Sequence, residues 1–232
     1  MNPDPGGVRT DAVLLDAYGT LVHLDDPAGR LRALLAAEGH EHPAERVAAA
    51  LAGEIRHYRV HHDEGRDPAS LAALRLGCAA VLAEGLGAEA PPLGRLAEIL
   101  VAALRFELIP DALPALDALA AAGVRLAVVS NWDCGLGAVL EGLGVADRFA
   151  AVSVSAVVGA AKPDPAIFRH ALGAMGVAPE RAIHCGDRPE YDCVGARNAG
   201  VRAVLVDRAG RLDDGPCPRI AALTELLPWA HR

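Results

Sequence analysis

Residues 11–20 read Asp-Ala-Val-Leu-Leu-Asp-Ala-Tyr-Gly-Thr. Four apolar residues, Ala12 to Leu15, stand between two carboxylates. A run this short and this continuous suits a strand over Asp11–Asp16, buried on both faces as in a parallel sheet. It ends on Asp16, and Tyr18-Gly19-Thr20 then breaks it. A carboxylate at the carboxyl end of a buried strand lies where open parallel sheets place their ligands.

Outward from this strand the pattern changes twice. From Pro27 to Arg105 Ala, Leu, Arg and Glu dominate, with breaks at Gly39–Pro43, Gly65–Pro68 and Gly85–Pro92. That composition predicts a bundle of several helices. After Ile109-Pro110, helices and strands alternate. The expected helices are Leu113–Ala122, Cys134–Gly144, Pro165–Gly176, Asp192–Gly200 and Arg219–Leu227. The expected strands are Val124–Ser130, Phe149–Ser155, Ala182–Cys185 and Val201–Asp207. Such alternation implies an α/β fold, a parallel sheet with helices on both faces. The helical block interrupts it after the first strand and is best explained as an inserted cap. The expected division is a core of residues 8–22 and 106–232 and a cap of residues 23–105.

Bulk properties agree. The chain has 232 residues, 52% hydrophobic and only 22% charged, enough to bury a core. Aromatics are 3%, so Ala, Leu and Val must fill the interior. The net charge of -8 argues against nucleic acid as a partner. No uncharged apolar run reaches the ~18 residues of a membrane span, and the N-terminus has no apolar signal core. A cytoplasmic protein, monomer or homodimer, is expected. Five cysteines (Cys78, Cys134, Cys185, Cys193, Cys217) are then expected as reduced thiols, with Cys134 and Cys193 candidates for exposure near the site. Of the 22 Lys and Arg residues only Lys162 is lysine. A position that stays Lys against such a bias suits a role for a compact ammonium.

The strand ends collect a specific set of groups. Asp16 follows the first strand, Ser130 and Asn131 the second, Lys162 the third, and Asp187 and then Asp192 the fourth. Three carboxylates close together repel unless a cation joins them. Oxygen-only ligands favour a hard ion such as Mg²⁺. Ser130, Asn131 and Lys162 supply donors and positive charge for an anionic small-molecule substrate, and Lys162 keeps Asp16 ionised for attack.

These segments resemble the four motifs of the haloacid dehalogenase superfamily. VLLDAYGTL at 13–21 is similar to the first, which carries a nucleophilic Asp. VVSNWD at 128–133 resembles the second. VGAAKPDPAIF at 158–168 resembles the third, with Lys162 as its lysine. HCGDRPEYDCVGARNAGV at 184–201 resembles the fourth, which carries the metal carboxylates. The resemblance spans nearly the whole chain, and the helical insertion matches the family's first-position cap. It implies Asp16, Lys162 and Ser130 as catalytic residues. Mg²⁺ would be held by Asp16, the Tyr18 carbonyl, Asp187 and Asp192. Tyr18, Thr20, Asn131 and Trp132 are the expected substrate-side residues, Trp132 either walling the pocket or packing between core and cap.

One position departs from the family's phosphatases. These carry a second Asp two residues after the nucleophile, which protonates the leaving alkoxide; here that residue is Tyr18. Asp-x-Tyr-Gly-Thr is the spelling of L-2-haloacid dehalogenases, which expel a halide and need neither proton nor metal. Against that reading stand Gly186-Asp187 and Asp192, the metal-binding form of the fourth motif. The dehalogenase cap arginine is also missing: Ala52 falls at its position, with Arg56 one turn on. The expectation is therefore a Mg²⁺-dependent phosphatase acting through an aspartyl-phosphate, with a dehalogenase or an inactive binding module as alternatives. His57, His61 and His62 are read as a solvated helix face, and Arg188 and Glu190 as solvated loop residues, with the ordering of Asp187 or Asp192 as their alternative role. Thr20 is expected to orient Asp16 by a hydrogen bond.

Overall fold

The structure, a computed structural model, describes residues 9–212, 215 and 217–230. Its main sheet has six strands. They are β1 (Ala12–Leu15), β4 (Arg125–Ser130), β5 (Ala151–Val154), β6 (Ala182–Gly186), β7 (Arg202–Val206) and β8 (Arg219–Ile220). The strand order is β5-β4-β1-β6-β7-β8, and every pairing is parallel. All four residues of β1 are buried, as its unbroken apolar run demands. In register, Leu15 lies between Val128 and Cys185. The next residue, Asp16, therefore emerges between the ends of β4 and β6. The chain leaves β1 toward β4 and β5, then returns to β6 on the other side, so the strand order reverses at β1. Such a switch point opens a crevice at the carboxyl ends.

Helices α5 (Ala112–Ala121), α6 (Leu136–Gly142), α7 (Ser155–Val158), α8 (Pro165–Met175), α9 (Val194–Asn198) and α10 (Leu227–Ala230) accompany this sheet. Helix α8 begins as its sequence predicts. Pro165 occupies its first turn, and Asp164 accepts a hydrogen bond from the Ala166 amide at 2.8 Å. Its Ile167, Phe168 and Leu172 pack with Leu14 of β1 and Val129 of β4 in the sheet's core. Each such buried side chain contributes roughly 1.5–3 kcal/mol.

The chain divides into two compact units. One takes the chain up to His23, Leu108–Trp132 and the part from Leu136 onward; the other takes Leu24–Glu107 with Asp133–Gly135. The second unit is helical: α1 (Pro27–Ala37), α2 (Ala44–His61), α3 (Pro68–Leu86) and α4 (Leu93–Ala103). The three predicted breaks fall between them. Leu31, Leu51, Leu82, Leu96 and Leu100 form its core. Helix α3 is 19 residues long with a mean hydropathy of 1.5, long and apolar enough to cross a membrane by those measures alone, although Arg75 and Glu84 interrupt it. Its apolar residues Leu71, Leu74, Leu82 and Leu86 are buried in that same core. Asp133–Gly135 group with the helices through two bonds. Tyr58 Oη donates to Asp133 Oδ2 at 2.8 Å, and the Cys134 amide to the Gly65 carbonyl at 2.8 Å.

Several expectations need correction. Two short strands, β2 (Val22–Leu24) and β3 (Phe106–Leu108), pair as a separate two-stranded sheet. No strand is expected from the sequence over either segment; the first core piece is expected to end at residue 22 and the core to resume at residue 106. The expected helix over Arg219–Leu227 begins instead as strand β8 against Leu205 and Val206. It turns helical only from Leu223, first as a tight turn over Leu223–Leu226 and then as α10. The helix expected from Asp192 is preceded by a wide π-type turn, Pro189–Cys193, so regular helix starts at Val194. Proline at the entry removes one backbone donor there.

The cysteines also differ from expectation. Cys193 and Cys217 form a disulfide across Cα atoms 6.1 Å apart, a separation suited to a bridge. Cys193, expected near the surface, is fully buried. Only Cys78, Cys134 and Cys185 are free. Thiol titration of the protein unfolded without reductant should therefore read three thiols; a value of five would remove the bridge.

Candidate active site

Asp16 is held from both ends. Its amide donates to the Cys185 carbonyl of β6 at 2.9 Å, which anchors the residue to the sheet. Its side chain is buried, and Oδ1 accepts from Ser130 Oγ at 3.0 Å and Lys162 Nζ at 2.6 Å. Both donors fall on the same oxygen.

Lys162 reaches this point because its main chain is pinned. The Asn131 carboxamide accepts from the Lys162 amide at 2.6 Å and donates to the Lys162 carbonyl at 3.0 Å. Asn131, expected on the substrate side, is thus committed first to placing the lysine. The ammonium is buried and also donates to Asp192 Oδ1 at 2.6 Å. Asp192 has two further partners: His184 Nε2 lies 2.9 Å from Oδ1, and the Arg188 amide donates to Oδ2 at 2.9 Å. A carboxylate can only accept, so His184 carries its hydrogen on Nε2. The ring packs edge-on against Phe168, centroids 4.9 Å apart. A Cβ at Gly186 would lie 2.1 Å from Asp192 Cγ, so this position must be glycine for the carboxylate to sit where it does.

Asp187 is the least satisfied of the three acids. Its Oδ1 is buried with no hydrogen-bond partner, which costs on the order of 1–3 kcal/mol and more for a charged group. Its other oxygen packs against Gly19, where φ is +85° and a Cβ would lie 2.5 Å from Oδ2. Any side chain at Gly19 would meet both penalties.

The electrostatics agree with an excess of negative charge. Burial, together with the charges of Asp16 and Asp192, pushes the Asp187 carboxyl up to about 7. Burial raises Asp16 too, with Asp192 adding to the effect and Lys162 offsetting only part of it. Burial would also raise Asp192, but Lys162 and His184 more than compensate and hold it below the usual carboxylate range. Burial would lower the Lys162 ammonium; Asp16 and Asp192 instead raise it. Asp16, Asp187 and Asp192 each offer an oxygen, and these atoms lie within 4.8 Å of one another. One ammonium does not neutralise three carboxylates, and Asp187 keeps an open acceptor. The set fits a hard divalent cation.

Tyr18 is 44% exposed and bridges to Val22 in the turn after Asp16. Thr20 does not bond to Asp16 as expected. Its hydroxyl is buried without a hydrogen-bond partner. The turn closes on itself, the Leu21 and Val22 amides both donating to the Ala17 carbonyl at 2.8 and 2.9 Å. Trp132 is buried, its amide donating to Ser155 Oγ at 3.1 Å. Arg188 stacks on the Tyr191 ring at 5.4 Å while its amide orders Asp192. Two side chains went unnoticed in the sequence, His184 and Arg208. An ionisable residue inside a buried strand could have signalled the first; nothing local signals the second.

The family model for haloacid dehalogenase-like hydrolases matches residues 10–200. The chain belongs to that family. The haloacid dehalogenase-like fold extends to its solved relatives. A magnesium-bound HAD-hydrolase, YfnB of Bacillus subtilis, superposes with a TM-score of 0.71 at 19% identity, covering 96% of this chain and 99% of that one. A 2-haloacid dehalogenase from Pseudomonas syringae superposes at 0.66 with 26% identity, covering 94% and 96%. Among curated relatives, a phosphoserine phosphatase of Thermus thermophilus is 44% identical over 127 residues, 53% of this chain and 51% of that protein. Haloacid dehalogenase-like hydrolase domain-containing protein 3 of Bos taurus is 39% identical over 109 residues, 47% and 41%. The chain spans about half the length of the curated relatives it matches.

Proposed function

We propose that this hydrolase is a Mg²⁺-dependent phosphatase that transfers a phosphoryl group from a small anionic substrate to Asp16 and then to water. The observation that carries this reading is the unsatisfied Asp187 beside a Lys162-bound Asp16. A halide-expelling site has no use for a third, half-buried carboxylate with an unpaired oxygen. Asp16, Asp187, Asp192 and the Tyr18 carbonyl would hold the ion. When bound, it would neutralise charge on the phosphoryl oxygens.

The chain's own groups supply the rest. Lys162 keeps Asp16 ionised, and with both donors on Oδ1 the other carboxylate oxygen is left for in-line attack on phosphorus. The bond from phosphorus to the leaving oxygen breaks as the bond to Asp16 forms. Water then cleaves the acyl phosphate, releasing inorganic phosphate and restoring the carboxylate. Ser130 and Lys162 donate to the site throughout and are placed to stabilise oxyanions.

The first step has no aspartic acid at position 18 to protonate the leaving group. General-acid assistance is worth roughly 10²–10⁴-fold. We therefore expect substrates with stable leaving groups, acyl phosphates or phosphoanhydrides. Acetyl phosphate should exceed phosphoserine or a sugar phosphate in kcat/KM by at least about 10²-fold at saturating Mg²⁺. Faster hydrolysis of either alkyl phosphate would overturn this substrate class.

The dehalogenase reading keeps one specific observation, the Asp-x-Tyr-Gly-Thr spelling at 16–20. A single panel separates the readings. Phosphate release that needs Mg²⁺ supports the phosphatase. Chloride release from 2-chloropropionate in EDTA supports the dehalogenase. Neither activity leaves a binding module.

A further inference from the structure

Arg208 follows β7 and makes four hydrogen bonds with one guanidinium. Nη1 donates to the Gly19 carbonyl at 2.8 Å and Nη2 to the Thr20 carbonyl at 2.9 Å. Nη2 also donates to Asp111 Oδ1 at 2.7 Å, and Nε to Asp111 Oδ2 at 3.0 Å. Asp111, just before α5, is fixed in turn by the Leu223 amide at 2.9 Å. The pair lies at the surface, with its side chains 26% and 18% exposed. Burial would raise the Asp111 carboxyl, but its bonds from Arg208 and Leu223 hold it below its ordinary value. The pair is therefore a fork-to-fork ion pair in which two of the guanidinium's remaining donors are aimed at the turn after the nucleophile.

That turn bears directly on the candidate cation site. It carries the Tyr18 carbonyl, and Gly19 lies against Asp187 so closely that no Cβ fits between them. The carbonyls that Arg208 grips are those of the next two residues. We infer that Arg208, held by Asp111, is a positioning residue that presses the nucleophile turn against Asp187 and so sets the affinity for the divalent cation. The inference rests on the metal reading above. Its chemistry is specific to the guanidinium. Lysine at 208 would keep the charge but could not serve both carbonyls and both carboxylate oxygens at once. Outer-shell partners of this kind typically change metal affinity by about 10–100-fold.

The test is Mg²⁺ binding to the intact protein by titration calorimetry, beside steady-state kinetics against Mg²⁺ and thermal melting. Wild type and Asp187→Asn come first. Equal affinity in these two would sink the metal reading itself. If Asp187→Asn loses binding, Arg208→Lys should bind Mg²⁺ about 10–100-fold more weakly than wild type. Its kcat at saturating Mg²⁺ should fall far less than its affinity. Asp111→Asn, which keeps an acceptor but loses charge, should shift affinity in the same direction by a smaller factor. A folded Arg208→Lys or Asp111→Asn protein with wild-type Mg²⁺ affinity overturns the inference. So does failure of both variants to fold, which would make the pair a support of the fold and not of the site.

Discussion

Asp16→Asn should abolish turnover, by at least about 10⁴-fold in kcat, while leaving the protein folded. The amide is the same size as the carboxylate. It can still turn its oxygen toward Ser130 Oγ and Lys162 Nζ, which approach Oδ1 at 3.0 and 2.6 Å. What it loses is the charged nucleophile, and no neighbouring acid can replace it. Asp192 is committed to Lys162, His184 and the Arg188 amide, and Asp187 does not stand at the end of β1. The stability effect has the opposite sign. The folded state raises the Asp16 carboxyl above its ordinary value of 3.8, chiefly through burial. Stability from such a group is present in full below its unfolded pKa and is lost as pH rises from there through the raised folded value. At neutral pH the buried charge of Asp16 is therefore unfavourable to the metal-free fold; asparagine removes that charge, and Asp192 keeps the Lys162 ammonium paired. Melting in EDTA should show the variant at least as stable as wild type, with no phosphate release from acetyl phosphate. Retained turnover would move the nucleophile elsewhere. Lost turnover with a lowered Tm would attribute the loss to unfolding.

The parts of this site that were legible in the sequence share a physical reason. Asp16, Ser130 and Asp187 stand at or just beyond the ends of apolar runs, and a parallel sheet forces such ends to one edge. The 146 positions between Asp16 and Lys162 were bridged by topology and not by spacing. The illegible parts lack either a run or a motif. Strands β2 and β3 are three residues each, too short for a period to show, and their pairing is set across the whole helical block. Strand β8 has two residues and owes its conformation to the edge of β7. Thr20 lies four residues from Asp16, close enough in sequence to suggest a donor, but its hydroxyl is buried without a partner in a turn closed on the Ala17 carbonyl. Arg208 was hidden by abundance. Among so many arginines nothing marked the one that reaches 189 positions back to Gly19. The Cys193–Cys217 bridge was missed for a related reason. Its two halves lie 24 positions apart and meet beside β7, which packs against the turn at Pro189–Cys193 and bonds to Pro218, the residue after Cys217.

That same abundance of arginine makes Lys162→Arg the most informative change at the site after Asp16. Elsewhere in this chain arginine meets every need for a cation, so the substitution asks whether position 162 is an exception by chance or by chemistry. The geometry favours chemistry. One nitrogen stands 2.6 Å from both Asp16 Oδ1 and Asp192 Oδ1, and a compact ammonium can place its whole charge there. A guanidinium spreads its charge over a plane and would have to present two different nitrogens to the two acids. The main chain cannot retreat to make room, because Asn131 holds both the amide and the carbonyl of Lys162. With the side chain fully enclosed, the extra atoms would cost roughly 1–3 kcal/mol in overpacking. They would also displace Asp16 from the line of attack, and losing one well-placed charge donor costs about 10²–10³ in kcat. We expect Lys162→Arg to lose at least about 10³-fold in kcat/KM through both effects, close to the loss in Lys162→Met. Titrating acetyl phosphate turnover in the two variants decides the matter. If arginine restored more than about a tenth of wild-type activity while methionine did not, charge alone would suffice. The lone lysine would then be an accident of composition. If the two variants are equally inactive, the site requires a single nitrogen shared between nucleophile and Asp192, which is the arrangement that keeps Asp16 ionised without occupying its second oxygen.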